Sequence, residues 1–339
     1  MDRRPALAPA VAEVRRAVRE VLEPLRADGS PPVIVALSGG ADSLALAAAT
    51  AFEAPKLGLR PLAIVVDHQL QPGSAEVSAR AADAARLLGM DAHVVGVTVN
   101  GGDGPEAAAR SARYRALTET ARARRAAAVL VGHTLDDQAE TVLLGLARGS
   151  GAASLQGMAA SSELDGVTLL RPLLGVRRET TRAACAAAGI EPWEDPHNSD
   201  PRFARVRVRE RVLPTMEAEL GPGVAEALAR TAEQLREDAA AFADMIDEVI
   251  EDIVEHAEAG ISVSAAALAA NPAALRHRII RHVVASEFGQ SLTRRQTVEV
   301  ARLAVSWTGQ GPIHLPGCSA RRNGGRIEFT ADGALSADV

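Results

Sequence analysis

The chain has 339 residues, of which 47% are hydrophobic and 24% charged, a composition typical of a globular protein with a large buried core. Aromatic residues make up only 2%, so the core must consist mainly of alanine, valine and leucine. The net charge of −6 argues against a uniformly basic nucleic-acid-binding protein but permits a local basic face.

Cysteine spacing and hydropathy predict the compartment. Cys185 and Cys318 are far apart and form no Cys-x-x-Cys pair, which indicates a reducing compartment and no structural zinc or iron–sulfur site. No run of about 18 apolar residues is present, so no membrane span is expected. The N-terminus also lacks the apolar segment of a signal peptide. The sequence therefore predicts a cytoplasmic protein without a membrane partner.

Predicted strands and helices alternate over residues 1–215. A helix is predicted over 9–23, and strands follow over 33–37, 61–66, 92–99, 127–131 and 168–174. The fifth strand contains Arg171-Pro172, which favours a position at the edge of a sheet. This alternation predicts an α/β fold with a doubly wound, mostly parallel five-stranded sheet.

A glycine-rich turn joins the first strand to the next helix. It reads Ser38-Gly39-Gly40-Ala41-Asp42-Ser43, and we call it the phosphate loop. A strand, a glycine turn and a helix N-terminus present backbone N–H groups to an anion. A Walker loop is excluded because Lys56, the only lysine, lies elsewhere. The alternative is an ordinary βα turn of any doubly wound sheet.

Polar residues also follow two other strands at the sheet edge where ligands bind. Asp67 and His68 end the second strand, although a polar strand end meeting solvent explains them equally well. After the fourth strand, His133 precedes Asp136, Asp137 and Glu140, and Asp137 and Glu140 are three apart and share one helix face. Such carboxylates hold Mg²⁺ or a cationic substrate, and alternatively they cap the helix.

Arginines are concentrated in two further stretches of the first 215 residues. Arg110, Arg113 and Tyr114 are one helical turn apart and share a face, and a solvated arginine face is the alternative explanation. The second stretch alternates arginine with valine from Arg205 to Arg209. RNA phosphate, ATP phosphate or an acidic side chain are the candidate partners of its arginines.

Residues 216–339 are predicted to form a smaller, mostly α-helical C-terminal domain with a short β-rich end. A long helix with an acidic face runs to about residue 256. The following helices and the β-rich end carry the basic residues Arg276, Arg278, Arg281, Arg294, Arg295, Arg321, Arg322 and Arg326.

Taken together and in this order, these stretches resemble the tRNA(Ile)-lysidine synthetase family of the PP-loop ATP pyrophosphatase superfamily. The resemblance covers residues 30–215 well and the tail more loosely. Its further motifs are Arg148-Gly-Ser-Gly151, Arg171-Pro-Leu-Leu174 and Asp195-Pro-His-Asn198. A valine, Val206, stands where the family often has asparagine, and the chain is shorter than long members, so it is expected to lack their last tRNA-binding domain.

The resemblance implies an ATP-dependent ligase that attaches free L-lysine to carbon-2 of the wobble cytidine in tRNA(Ile) with a CAU anticodon. It further implies roles for individual residues. Ser38, Gly39, Gly40, Ala41, Asp42 and Ser43, with Asp67 and His68, would bind ATP; Asp42, Asp137 and Glu140 would face Mg²⁺ or the lysine ammonium; and His133, Arg113 and Arg205 would complete the catalytic set.

Two alternatives stay open at this point. A tRNA thiolase of the same superfamily would use cysteines for sulfur chemistry, and Cys185 and Cys318 are poorly placed for that role. A non-catalytic nucleotide-binding regulator would need the phosphate loop but not Asp137 or Glu140. For the ligase, Glu140→Ala is expected to abolish turnover while the fold survives. The sequence leaves open whether the protein is a homodimer.

Overall fold

The structure, a computed structural model, describes residues 7–69, 73–98, 105–149, 151–194, 200–257 and 260–332. The chain divides into two compact units, Met1–Leu235 and Arg236–Val339. Each unit has its own buried apolar cluster. The domain boundary predicted after residue 215 stays a prediction.

The first unit begins with helices and strands in alternation. They are α1 (Pro9–Leu22), β1 (Pro32–Ala36), α2 (Ala41–Glu53), β2 (Arg60–Asp67), α3 (Ser74–Leu87), β3 (Asp91–Gly96), α4 (Pro105–Arg124), β4 (Ala128–Leu130) and α5 (Leu135–Ala147). There follow α6 (Ala152–Leu155), β5 (Ser161–Leu164), β6 (Val167–Leu170), α7 (Arg178–Ala187), α8 (Ala204–Arg207), a π-helical turn (Val208–Val212) and α9 (Leu213–Leu220).

The sheet of the first unit has the strand order β3-β2-β1-β4-β6-β5. All neighbouring strands are parallel except β5 and β6. The chain leaves β1 towards β2 and β3, and later returns to β4 on the other side. The carboxyl ends of β1 and β4 therefore flank the point where the winding reverses, which is where such sheets bind ligands.

The predicted mostly parallel α/β fold is confirmed, with one strand more than expected. Strand β5 pairs antiparallel with β6 through a two-residue turn at Asp165-Gly166, where both residues have positive φ, 51° and 72°. Asp-Gly between two strands is a strong signal for such a hairpin, and the sequence prediction missed it. As a result β6 lies inside the sheet, and its predicted edge position is wrong.

The buried core consists mainly of alanine, valine and leucine, as the composition predicts. Val33, Ile34 and Val35 of β1 have no exposed surface, so the central strand is buried on both faces. One face packs with α1, α2 and α3 through alanine, valine and leucine. The other face packs on α4, where Tyr114 and Leu117 meet Ile34 and Val129.

The second unit contains a five-stranded antiparallel sheet with the order β7-β8-β11-β10-β9. The helix α10 (Val224–Ile253) contains the boundary between the units. It is followed by β7 (Val254–Ala257), β8 (Gly260–Ser264), α11 (Ala265–Ala270), α12 (Ala273–Phe288), α13 (Arg294–Val305), β9 (Ile313–Leu315), β10 (Cys318–Asn323) and β11 (Arg326–Ala331). The β-rich end is thus larger than predicted, because two strands precede α11.

In the part of the chain that the structure describes, every helix is too short or too polar to cross a bilayer.

Candidate active site

The phosphate loop lies at the carboxyl end of β1 and is closed by its own serines. The Ser43 hydroxyl donates to the Gly40 carbonyl over 2.9 Å and accepts from the Ser38 amide over 3.2 Å. Gly39 has φ +85°, and a Cβ there would lie 3.2 Å from the Ala81 Cβ, so glycine is required. The amides in the first turn of α2 have no acceptor within the helix and remain available to an anion.

The end of β4 is packed directly against this loop. A Cβ on Gly132 would lie 3.2 Å from the Asp42 carbonyl group and from the Ser43 amide nitrogen. The strand end that carries His133 and the start of α5 are therefore neighbours of the phosphate loop. The two stretches that the sequence analysis placed in one pocket do meet.

Asp137 both caps α5 and forms an ion pair. Its Oδ2 accepts from the amide of Thr134 over 2.8 Å and from the Thr134 hydroxyl over 3.0 Å. Its Oδ1 lies 2.9 Å from a guanidinium nitrogen of Arg178. Burial by itself would raise the pKa of Asp137, but Arg178 and the Thr134 amide outweigh it and hold the pKa below its usual value.

Arg178, at the start of α7, links the phosphate loop to the acids of α5. Its guanidinium lies 2.9 Å from Asp137, 3.1 Å from Glu140 and 3.6 Å from Asp42. Its backbone amide also donates to Asp136 over 2.7 Å. The sequence analysis missed Arg178 because 41 residues separate it from Asp137. Its position right after the Arg171–Leu174 motif was the one available signal.

Glu140 is fully buried and is enclosed by arginines. Arg209 makes two contacts with it, of 2.7 and 3.0 Å, and Arg178 lies at 3.1 Å. Arg205 Nε lies 3.2 Å from Glu140 Oε2 at an angle that makes no hydrogen bond, while the same guanidinium donates to Thr141 over 2.6 Å. Glu140 was expected to face Mg²⁺ or an ammonium group. Its carboxylate oxygens are instead occupied by guanidinium groups.

Backbone geometry explains how the alternating arginines reach one acid. Arg205 in α8 and Arg209 in the π-helical turn are four residues apart and so lie on the same side of the chain. Val206 and Val208 are buried on the other sides. Arg207 turns away and donates to the carbonyls of Pro201 and Arg202, each over 2.8 Å.

Residues on and just after α7 also contact the phosphate loop. The buried Thr181 hydroxyl donates to the Asp42 carboxylate. The thiol of Cys185 lies 3.3 Å from the Ala41 carbonyl. Beyond the helix, the amide of Trp193 donates to the Gly39 carbonyl over 2.9 Å. These contacts join residues more than 130 positions apart, and no local sequence signal points to them.

Asp42 is the one acid of the phosphate loop, and it is paired less closely than Asp137 and Glu140. Its side chain is 25% exposed, and its nearest cation, Arg178, is 3.6 Å away. Burial raises the pKa of Asp42, against the opposing effects of the Thr181 hydrogen bond and the Arg178 charge. Among the described residues, no group of three or more His, Cys, Asp or Glu side chains is gathered to hold a metal.

His133 is neutral near pH 7. Burial lowers its pKa to about 4, and the charges of Arg171, Arg110 and Arg113 act in the same direction against Asp137. Its buried Nδ1 has no hydrogen-bond partner among the described residues. His133 was expected to neutralise developing negative charge, and in the free protein it is an uncharged imidazole.

The remaining predicted site residues are Asp67 and His68 at the end of β2 and Arg113 on α4. Asp67, at the end of β2, is buried and accepts from the Gln69 amide over 3.0 Å. His68 follows it, and burial together with the Arg113 charge lowers its pKa. Arg113 interacts with the ring of Tyr114 on α4. The motif at 195–198 lies outside the described residues.

Two family models match this chain. Residues 12–216 match the family model of the PP-loop domain, and residues 264–328 match that of the TilS substrate binding domain. The tRNA(Ile)-lysidine synthase of Leifsonia xyli is 59% identical over 88% of this chain and 89% of its own length. That of Salinispora tropica is 52% identical over 97% and 99%.

A likeness among solved structures concerns the fold alone. The U34-tRNA thiolase NcsA from Methanococcus maripaludis has a TM-score of 0.57 and 20% sequence identity, and it covers 67% of this chain and 80% of its own.

Removing the acid at the centre of the arginine cluster should destabilise the protein. Glu140→Ala leaves three guanidinium groups without their shared carboxylate, so we expect a loss of about 3–5 kcal/mol in the free energy of unfolding, measured with urea. This differs from the expectation that the fold survives unchanged. Glu219→Ala, an exposed acid of α9, is the control and should cost less than about 0.5 kcal/mol. A loss below about 1 kcal/mol for Glu140→Ala would contradict the cluster's role.

His133 should make stability depend on pH in the acid range. The unfolded chain takes up a proton near pH 6.5 and the folded chain only near pH 4, so stability contributed by this residue is lost as pH falls between those values. We expect the wild type, relative to His133→Gln, to lose up to about 1.4 kcal/mol per pH unit there. Urea unfolding at several pH values measures this difference. An NMR-titrated imidazole pKa near the usual value would contradict it.

Proposed function

The chain belongs to the tRNA(Ile)-lysidine synthase family, and from that premise we propose that it joins free lysine to carbon-2 of the wobble cytidine in CAU-anticodon tRNA(Ile). Oxygen-2 of the cytosine attacks the α-phosphorus of ATP, and pyrophosphate leaves. The amine of lysine then attacks carbon-2, and AMP leaves with the oxygen. The observation that carries the proposal is the contact between the phosphate loop and the acids of α5 through Arg178.

We propose that the phosphate loop binds the ATP phosphates. Its glycines allow close approach, and the first-turn amides of α2 supply donors. The exposed Ser38 hydroxyl, 3.1 Å from that of Ser43, adds a further polar group at the mouth of the loop. Asp67 and His68 at the end of the adjacent β2 complete this side of the proposed nucleotide site.

ATP chemistry implies Mg²⁺, and the residues fit it in part. Mg²⁺ in such sites is usually held by one or two carboxylates together with substrate phosphates, whose charge it neutralises. Asp42 fits, because one of its oxygens faces only a distant guanidinium. Asp137 is the alternative candidate, and its Oδ1 would have to release Arg178, which lies 2.9 Å away. Glu140 does not fit, because arginines occupy both of its oxygens.

We propose that Asp137 receives the ammonium group of lysine by exchange with Arg178. A pocket of about 220 Å³ next to it is lined by charges of both signs, as an amino acid requires. Its lining includes Asp136, Arg178, Glu179 and Glu217. In this arrangement Glu140 is a positioning residue, because it fixes the arginines around the site.

The same site supports roles for His133 and Arg205 at the reacting phosphate. A neutral His133 donates a hydrogen bond without adding charge, and its neighbours at the strand end face the phosphate loop. Arg205 pairs with Glu140 over 3.2 Å and keeps 34% of its side chain exposed, so its guanidinium can also face a ligand oxygen. Arg113 stays in the proposal as a cation on the far side of His133.

A thiolase reaction is not favoured by the cysteines. Both are buried in the structure. Burial raises the pKa of the Cys185 thiol to about 11, so its reactive thiolate is scarce at neutral pH. The tRNA substrate itself favours the cytoplasm as the place of action.

The direct test is transfer of labelled lysine. With ATP, Mg²⁺ and transcribed CAU tRNA(Ile), we expect label to enter the RNA together with release of AMP and pyrophosphate, and no transfer to a transcript whose wobble base is not cytidine. Asp42→Asn should reduce transfer strongly, since it replaces the one carboxylate of the phosphate loop with a neutral amide. A folded wild-type protein that transfers no label would overturn the proposal.

We further propose that residues 216–339 contact the tRNA, in line with the catalytic domain proposed over 1–215. The candidate surface is the α12 basic face, formed by Arg276, Arg278, Arg281 and Arg294. No carboxylate among the described residues pairs with these four arginines, and burial together with the charges of Arg278 and Arg294 lowers the pKa of Arg281. The arginines of the β-rich end are engaged within the unit, with Arg321 paired to Glu328.

The α12 basic face should dominate the salt dependence of tRNA binding. Arg281→Gln and Arg294→Gln should each lower the slope of log affinity against log salt by about 0.9, because each removes one phosphate contact. Arg321→Gln is the matched control and should change the slope little, since Glu328 already pairs with it. Filter binding over a range of salt concentrations measures the slopes. An equal effect of all three substitutions would contradict the assignment.

A further inference from the structure

Three arginines of the first unit gather around one phenol. The guanidinium carbons of Arg110 and Arg113 lie 5.0 and 5.4 Å from the ring centre of Tyr114, and Arg110 donates to its hydroxyl over 3.5 Å. Arg171, which follows β6, is close enough for its charge to interact with Tyr114 and Arg110. Burial and repulsion from Arg110 lower the pKa of Arg171, while Tyr114 opposes them. Tyr114 itself is only 9% exposed.

This group, the Tyr114 arginine cluster, has no negative partner. Among the described residues, no aspartate or glutamate forms an ion pair with Arg110, Arg113 or Arg171. Arg171 is held instead by neutral oxygens, the Ala159 carbonyl at 2.8 Å and the Ser162 hydroxyl at 3.0 Å. Around Glu140, by contrast, three arginines share a carboxylate. Like charges gathered without an acid cost free energy, which a bound anion offsets.

Buried nitrogens without hydrogen-bond partners lie on the cluster and on two nearby histidines. Arg171 Nε, His68 Nδ1 and His133 Nδ1 have no hydrogen-bond partner among the described residues, and unsatisfied buried polar atoms of this kind indicate a missing ligand. The Arg113 charge acts on His68, and all three arginine charges act on His133. The cluster is therefore near enough to His68 and His133 for its charges to act on both.

We propose that the Tyr114 arginine cluster is a phosphodiester site for the RNA strand that carries the target nucleotide, separate from the phosphate loop. The inference rests on the proposed function. Arg110 is exposed, so the site opens at the surface where a strand passes. Planar guanidinium groups match phosphate oxygens in pairs. Three guanidinium groups are more than the single carboxylate of a free amino acid needs as partners. An RNA strand, by contrast, has a phosphate on each side of its nucleotide.

The site would anchor the strand beside the chemistry. A base that reacts with a bound nucleotide must leave its stack, which costs a few kcal/mol. Phosphate contacts from Arg110 and Arg171 hold the backbone while the base turns past His133 towards the phosphate loop. Neutral His133 then lies between two anion sites without adding to the charge of either.

The test compares Arg110→Gln and Arg171→Gln with Arg122→Gln, an exposed arginine three turns further along α4. Each of the first two should weaken tRNA binding and lower the salt slope by about 0.7, the value for a single-strand phosphate. The KM for lysine should change by less than about twofold, because no contact to lysine is removed. Arg122→Gln should leave both unchanged, and melting temperatures check the fold.

Two results would overturn the proposal. A raised KM for lysine with unchanged tRNA affinity would make the cluster a carboxylate site. Unchanged affinity, slope and KM in both variants would make it a structural feature. The proposed function fails separately, if the wild type binds tRNA with this arginine-dependent slope but transfers no lysine.

Discussion

The site depends on the buried carboxylate of Glu140 and the guanidinium of Arg178, which pair 3.1 Å apart. A fully buried carboxylate is tolerated only when cations and hydrogen bonds replace its water. Arg178 meets this need and also reaches Asp137 and Asp42. One side chain of α7 thereby fixes the distance between the phosphate loop and the acids of α5.

The pocket has two halves of different electrostatic character. On the α5 side, acids and arginines balance, and Asp42 keeps a quarter of its side chain exposed. On the α4 side, arginines converge on Tyr114, and no acid among the described residues pairs with them. The charges of both groups act on His133, which stays neutral because burial and the arginine charges outweigh the attraction of Asp137. A cationic substrate suits the first half and an anionic one the second.

The second unit separates its arginines in a similar way. Those of the antiparallel sheet are used within the unit, since Arg326 bridges Glu255 and Ser262, and Arg322 binds the Leu303 carbonyl and covers the Trp307 ring. Arg276, Arg278, Arg281 and Arg294 pair with no acid among the described residues, whereas the neighbouring Arg295 pairs with Glu299. Although the net charge is −6, the protein therefore has two regions whose arginines can bind an anion.

The sequence by itself determined the α/β class, five of the six strands of the first sheet, the phosphate loop and the set of polar residues at strand ends. These follow from local patterns, such as the all-apolar β1 and the glycines at 39 and 40. It could not determine that Glu140 would be occupied by Arg205 and Arg209, or that Arg178 and Thr181 would join the site. Those contacts span from about 40 to nearly 140 residues, and they form because α7 packs beside α2 while α8 and the π-helical turn pack beside α5. The sequence gives the charge of each side chain. Whether an opposite charge lies close enough to pair with it depends on distances that only the tertiary structure sets.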